Sequence, residues 1–310
     1  MIEESGYGIN KEKSEPKPTN RLAAYLKIMI KDKTAIIGLV IVVAFLGWSL
    51  IQGILEMFFG TSGPAVALLP HNPFKYNLFV GLHSPTLTYL MGTNANGEDI
   101  LSRMLYAMPR DAFISMAVVF SAILIGGALG IVAGYRGKYT DEVIMRVTDA
   151  FLSLPALILV LALSVLFNET LDGVILALVI VWWPIYARFF RAQTLRIKNM
   201  DYVTASKLNN VSPLKLFFSY LFVNSIDPVI AYAALDFGNV ILTYSTLAFL
   251  GIGLEPPIPE LGSMAANGVG TLPTGWWYAI FPGLAILIIV IGFVLVGDRM
   301  QDIISNRINY

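Results

Sequence analysis

Six apolar runs, each close to the length of a bilayer crossing, constrain this chain more than any other feature. They cover about 35–58, 112–135, 144–167, 171–189, 227–252 and 277–296. A helix needs about 20 residues to cross the hydrocarbon core, and lipid offers no partner for an unpaired backbone group. Each run is therefore predicted to be helical. With 56% hydrophobic and 14% charged residues, against about a quarter charged in a soluble domain, the composition agrees. The predicted fold is all-α, with six transmembrane helices. The first run follows a polar stretch and exceeds the ~7–15 residues of a signal-peptide core, so it reads as an uncleaved span. Residues 1–20 read as a polar, flexible tail and 21–310 as one transmembrane domain.

The distribution of positive charge sets the orientation. If the N-terminus is inside, 18 of the 21 Lys and Arg lie in inner segments, leaving only Lys75, Arg103 and Arg110 outside. The positive-inside rule then predicts both termini, and the segment 190–226, in the cytoplasm of a multi-pass cell-membrane protein. Its surrounding partner is membrane lipid. A net charge of zero argues against a nucleic-acid partner, and the absence of cysteine excludes disulfides and thiolate metal sites. Gly126, Gly130 and Gly134 recur every four residues on one face of the second run. Such a stripe lets a neighbouring helix approach closely, and internal bundle packing is the expectation. Pro155, Pro184 and Pro282 fall inside runs and should kink them.

The connection between the fourth and fifth runs is longer than a turn requires. In "DYVTASKLNNVSPLKLFFSYLF" (201–222), Asp201 can cap a short helix that runs to about Leu208. Asn210 can then end it, because Asn tolerates left-handed backbone. Ser212 and Pro213 suit a helix restart as N-cap and first helical residue. Leu214, Phe217, Phe218, Leu221 and Phe222 would form one apolar stripe of the second helix. The first helix offers a mixed face of Tyr202, Val203, Ser206 and Lys207, suited to a protein groove. The alternative is an interfacial anchor with no protein partner.

Four ordered blocks, together with the segment 201–222, carry a resemblance. The segment above resembles the cytoplasmic loop of ABC-importer permeases, with Thr204-Ala205-Ser206 in place of that family's Glu-Ala-Ala and Asn210 in place of its Gly. "GTNANGEDILSRMLYAMPR" (92–110) is similar to the Gly-Thr-Asp-x-x-Gly-Arg-Asp-x-Leu-Ser-Arg block of the dipeptide/oligopeptide/nickel class, with Asn94 and Glu98 as departures. "STLAFLGIGLEPPIPELGSM" (245–264) resembles its Pro-Pro-x-Pro block, with Ala248 for Ser and Leu261 for Trp. "GYRGKYTDEVIMRVTD" and "VGDRMQDII" fit as well. Their order is that of the C-type, or second, membrane subunit.

The resemblance implies a permease subunit of a binding-protein-dependent importer of peptides or oligosaccharides. Such a chain forms half of a pathway that alternates in access. Its implied partners are a B-type permease, two ATPase subunits that hold ATP and Mg, and an extracytoplasmic solute-binding protein. The implied ATPase-coupling residues are Asp201, Tyr202, Val203, Thr204, Ala205, Ser206, Lys207, Asn210, Ser212 and Pro213, a coupling helix between spans four and five. Residues 60–110 and 255–275 are expected to form an outer platform stiffened by Pro256, Pro257 and Pro259.

The residues themselves agree that no cofactor is held in this chain. "GYRGKYT" approaches the phosphate-loop pattern but has Val132 where Gly is needed and Tyr139 where Ser or Thr is needed. His71 and His83 lack ligand spacing. Serines occur in the spans with no His, so an intramembrane hydrolase is disfavoured and the chain reads as no enzyme. Asp236 is the acid set deepest in an apolar run, where a charge costs about 2.5–3.5 kcal/mol on insertion scales. It shares a loose helical face with Asn239 and Tyr244 that could line a pathway. A hydrogen bond to a neighbouring helix, or a proton-coupling site of a secondary transporter, are the alternatives.

Overall fold

The computed structural model describes residues 27–212, 215–253 and 257–305, without the side chains of Lys207 and Asp227. The expected tail and Pro213 lie outside the described residues. The elements are α1 (Lys33–Phe59), α2 (Pro64–Ala67), α3 (Ile100–Arg136), α4 (Lys138–Leu152), α5 (Ala156–Leu166), α6 (Leu171–Ile197) and α7 (Asp201–Leu208). A π-helical segment (Leu216–Phe222) then leads into α8 (Val223–Phe249), α9 (Leu261–Val269) and α10 (Leu272–Ile304). The described residues contain one isolated β-bridge, between Thr93 and Asp99, and no strand.

Four helices, α1, α3, α6 and α10, are each long and apolar enough to cross a membrane. The count reaches six only when two bent pairs are each taken as one span. The first pair is α4 with α5, bent by 92°, so the kink expected at Pro155 in the run 144–167 is a sharp corner. Its cause is Pro155, the N-cap of α5 at φ −58° and ψ 122°: proline disfavours helical backbone in the residue before it and brings no N–H to the turn. The second pair bends by 63° between Ile226 and Pro228, a proline that the apolar runs alone did not single out.

Boundaries shift in a consistent direction. The second span starts at Ile100 rather than near 112, because Asp99 caps α3 through Ser102 N at 2.9 Å. Part of the expected outer loop 60–110 is thus helix. The fourth span runs to Ile197, and the sixth from Leu272 to Ile304 with a break at Gly275 (φ −148°, ψ 49°). Within the expected loop 255–275, Glu260 caps α9 through Gly262 N (3.0 Å) and Ser263 N (2.7 Å).

Among the described residues two large apolar cores hold the bundle, beside a smaller one of Met29, Ala35, Val296 and Ile303. One joins α3, α6 and α8 around Val118, Leu178 and Phe190; the other joins α1, α3, α9 and α10 around Phe45, Met104 and Phe293. The glycine stripe lies on the α3–α6 seam. A methyl group at Gly126 would stand 2.7 Å from Tyr186 Cβ, one at Gly130 3.0 Å from Arg191 N, and one at Gly134 2.9 Å from Thr194 Cβ. All three are closer than ordinary contact. The stripe is internal packing.

Candidate functional site

The segment 201–222 begins where α6 ends. The Met200 carbonyl accepts from Val203 N (3.0 Å) and Thr204 N (3.1 Å), so Asp201 sits inside the first turn rather than before it, where its charge complements the positive helix end. Ser206 and Thr204 fold their hydroxyls back onto the carbonyls of Tyr202 (2.7 Å) and Met200 (3.4 Å). Asn210 takes φ 52°, and Val211 N donates to Ser206 O at 3.1 Å. That six-to-one bond with a left-handed residue before it is a Schellman closure. Ser212 opens the next element through its carbonyl to Leu216 N (2.9 Å) and its hydroxyl to Lys215 N (3.4 Å).

Two expectations about this segment are corrected. The second helix is π-wound, so Leu216 and Leu221, five apart, are the buried pair, while Phe218 is 59% exposed. The α-periodic stripe of Leu214, Phe217, Phe218, Leu221 and Phe222 does not form as one face; Leu214 lies outside the described residues. The face of α7 is also reversed. Val203 and Ser206 are buried, whereas Asp201, Thr204, Ala205 and Leu208 face outward, Leu208 at 79% exposure. Tyr202 lies at the edge, its ring 6.4 Å from that of Tyr220. Behind the knob, Phe222 stacks on Phe190 at 5.4 Å, Lys198 Nζ reaches Gly134 O at 2.8 Å, and Arg191 holds Asp141 with two bonds of 2.5 and 2.7 Å.

The deep polar groups do not form the expected common wall. Asp236 is 3% exposed and Tyr244 is fully buried, while Asn239 is exposed. Asp236 lies beside Trp182 and Tyr186 of α6 and accepts from Asn239 Nδ2 at 3.3 Å. The single chain already encloses it, so the side chain that reaches the surface is the asparagine. A second acid cluster escaped the sequence reading. Asp111 and Glu260, each 1% exposed, come together where α3, α8 and α9 meet, with Tyr244 and Arg110 beside them. Both carboxylate oxygens of Asp111 and the Tyr244 hydroxyl lack a hydrogen-bond partner among the described residues. Burial pushes the Glu260 carboxyl above its ordinary range, against the two backbone N–H groups that it caps. No spacing rule could join these residues.

The family model for the inner-membrane component of binding-protein-dependent transport systems matches residues 126–310. The chain belongs to this family. The permease is 35% identical over 305 residues to the dipeptide transport system permease protein DppC of Escherichia coli K12, covering 96% of this chain and 97% of that one. It is 37% identical over 240 residues to the probable D,D-dipeptide transport system permease protein DdpC of the same organism, covering 77% and 80%. A DppC of Alkalihalophilus pseudofirmus is 28% identical over 302 residues, covering 96% and 95%. The chain is thus an ABC-importer permease of the C type, a multi-pass protein of the cytoplasmic membrane, and its family is one of permeases rather than enzymes.

In this permease the block 92–110 fastens the loop before α3 onto the rest of the fold. Arg103, buried, bonds Glu98, Pro73 O (2.9 Å) and Pro257 O (3.3 Å). Asn94 Nδ2 donates to Glu98 Oε2 at 2.6 Å, and Trp277 Nε1 to Thr93 O at 3.1 Å. The two departures from the family block therefore work as a pair: Glu98 takes the arginine, and Asn94 saturates the other glutamate oxygen. Gly97 (φ 73°) passes so close to Asn77 that a methyl group would meet its backbone.

Proposed function

We propose that this permease forms half of a dipeptide pathway with a B-type permease, driven by two ATPase subunits and supplied by an extracytoplasmic solute-binding protein. The dipeptide reading is favoured over oligosaccharides by the names of the relatives above. The charge asymmetry along the sequence supports a cytoplasmic side for both termini and α7. The observation that carries the mechanism is the solid seating of α7. Its inner face is buried on the bundle, its end is closed by Asn210, and its outer face offers Leu208 among small and polar residues.

An exposed leucine forgoes about 1.5–3 kcal/mol of burial, so an apolar cleft in an ATPase subunit is its natural cover. Moving the pathway from 1:99 to 99:1 between its two access states takes about 5.5 kcal/mol of differential binding. A rigid knob can transmit that, and a fraying one cannot. Asn239 faces the pathway from α8, with Asp236 behind it holding the amide in place. The experiment is Leu208→Asp in the reconstituted importer. Dipeptide uptake should fall at least about tenfold, the equivalent of ~1.4 kcal/mol, while the assembly still forms and the ATPases still turn over. Uptake at the wild-type rate would remove the coupling role of this face.

A further inference from the structure

A cavity of about 580 Å³ opens between the end of α6, α7, the start of α8 and the end of α10. Its polar lining includes Gln193, Arg196, Asn224 and Gln301, and Phe189 and Ile304 supply apolar wall. The volume lies within the ~300–1,000 Å³ typical of small-molecule sites. Arg196 is exposed and has no ion pair or hydrogen bond among the described residues, although Arg188 and Arg191 on the same helix are each held by an aspartate. Asn224 donates through Nδ2 to Tyr220 O at 2.6 Å, so its side-chain oxygen is left to accept.

The place is as informative as the lining. Pro228 and Ala231 of α8 border the cavity. Residues 235 and 239 follow 231 at successive helical turns, so the cavity lies at the inner end of the face that carries exposed Asn239. It also sits at the 63° bend of the α8 span and beside Tyr202 of α7. A ligand there would touch the knob, the bend and the pathway face together.

We propose that this cavity is an exit-side subsite that takes the free carboxylate of a short peptide on Arg196, with the peptide backbone against Gln193, Gln301 and Asn224. The proposal rests on the dipeptide reading. A single guanidinium with no lysine among the described lining residues suits one carboxylate better than a phosphate, and a guanidinium matches a carboxylate with two parallel bonds. The amides supply donors and acceptors for the peptide bond, and Phe189 and Ile304 accept a side chain. Peptide that rebinds from the inside would wedge the joint between α7 and the bundle and slow the cycle, so internal product restrains import.

The test uses the assembled importer in nanodiscs without its solute-binding protein, so that the probe reaches the inner face directly. Glycyl-leucine and glycyl-leucinamide are titrated against the ATPase rate. The free acid should inhibit at about tenfold lower concentration than the amide, as expected when one charge-assisted pair is lost. Arg196→Gln should abolish that preference, and Arg196→Lys should restore part of it. Equal inhibition by acid and amide, no inhibition by either, or an unchanged preference in Arg196→Gln overturns the proposal, as would a cross-link showing the cavity filled by a partner subunit. Uptake of glycyl-leucine by the wild-type importer with its binding protein separates the two levels. Without uptake the dipeptide reading fails and the subsite with it; with uptake but no acid preference, the subsite alone fails.

Discussion

Two glycines of this chain should respond in opposite ways to the same added methyl group. Gly130 lies on the α3–α6 seam, where a Cβ would stand 3.0 Å from the carbonyl carbon of Ala187 and 3.0 Å from Arg191 N, and closer still to the Ala187 oxygen. Those are backbone atoms, so no rotamer can relieve the contact, and the two helices must part by several tenths of an ångström. Overpacking of this kind costs about 1–3 kcal/mol, against a gain of ~0.5–1 kcal/mol from replacing a helical glycine with alanine. The net for Gly130→Ala is a loss of up to about 2.5 kcal/mol. Separation would also loosen Lys198 from Gly134 O, a bond that crosses the same seam. Gly47 in α1 has nothing within 4 Å of its would-be Cβ, so Gly47→Ala keeps only the gain. The assay is the half-life of the purified permease at elevated temperature, followed by size-exclusion chromatography. Gly130→Ala should shorten it severalfold, and Gly47→Ala should leave it unchanged or longer. Equal half-lives for wild type and Gly130→Ala, or a larger loss in Gly47→Ala, would refute the account of the seam.

Asn210 carries its positive φ at low cost, so Asn210→Gly should preserve the knob. Asn210→Val should cost about 1–2 kcal/mol and speed hydrogen exchange at the Val211 amide roughly 5–30-fold, with fewer peptides moved per ATP; equal exchange in the two variants would contradict the closure described. Glu260 gives a pH dependence of definite sign. Burial raises its pKa in the folded state, so the folded chain binds the extra proton. The resulting stability is complete below the ordinary carboxylate range and is lost as pH rises through the raised value. Thermal stability should therefore decline with rising pH by up to ~1.4 kcal/mol per unit, and Glu260→Gln should flatten that slope; an unaltered slope would assign it elsewhere.

How much of this was legible in the sequence depends on whether the deciding force is local. Lipid-length apolar runs announce themselves because every residue in them must satisfy the same solvent, and the short helix from 201 ends where asparagine permits left-handed backbone. The start of α3 was hidden because a run ends where charges begin. Arg103 and Arg110 look like loop residues until Glu98 and Glu56 are folded against them, although Asp99 followed by Ser102 was a usable cap signal. The orientation of α7 was ambiguous for a different reason. Both its faces mix small and apolar side chains, so periodicity groups Val203 with Ser206, and Ala205 with Leu208, without saying which pair meets the bundle. One residue more in each hydrogen-bonded turn after Lys215 then moves the buried positions from an α to a π register, at the end of which Phe222 stacks on Phe190. The acids follow the same logic. Asp236 stands out because its neighbours in the chain are apolar, which is a local property. Asp111 is flanked by Arg110 and reads as a polar edge, yet it ends up as enclosed as Asp236, because Tyr244 and Glu260 at the start of α9 close over it from remote parts of the chain.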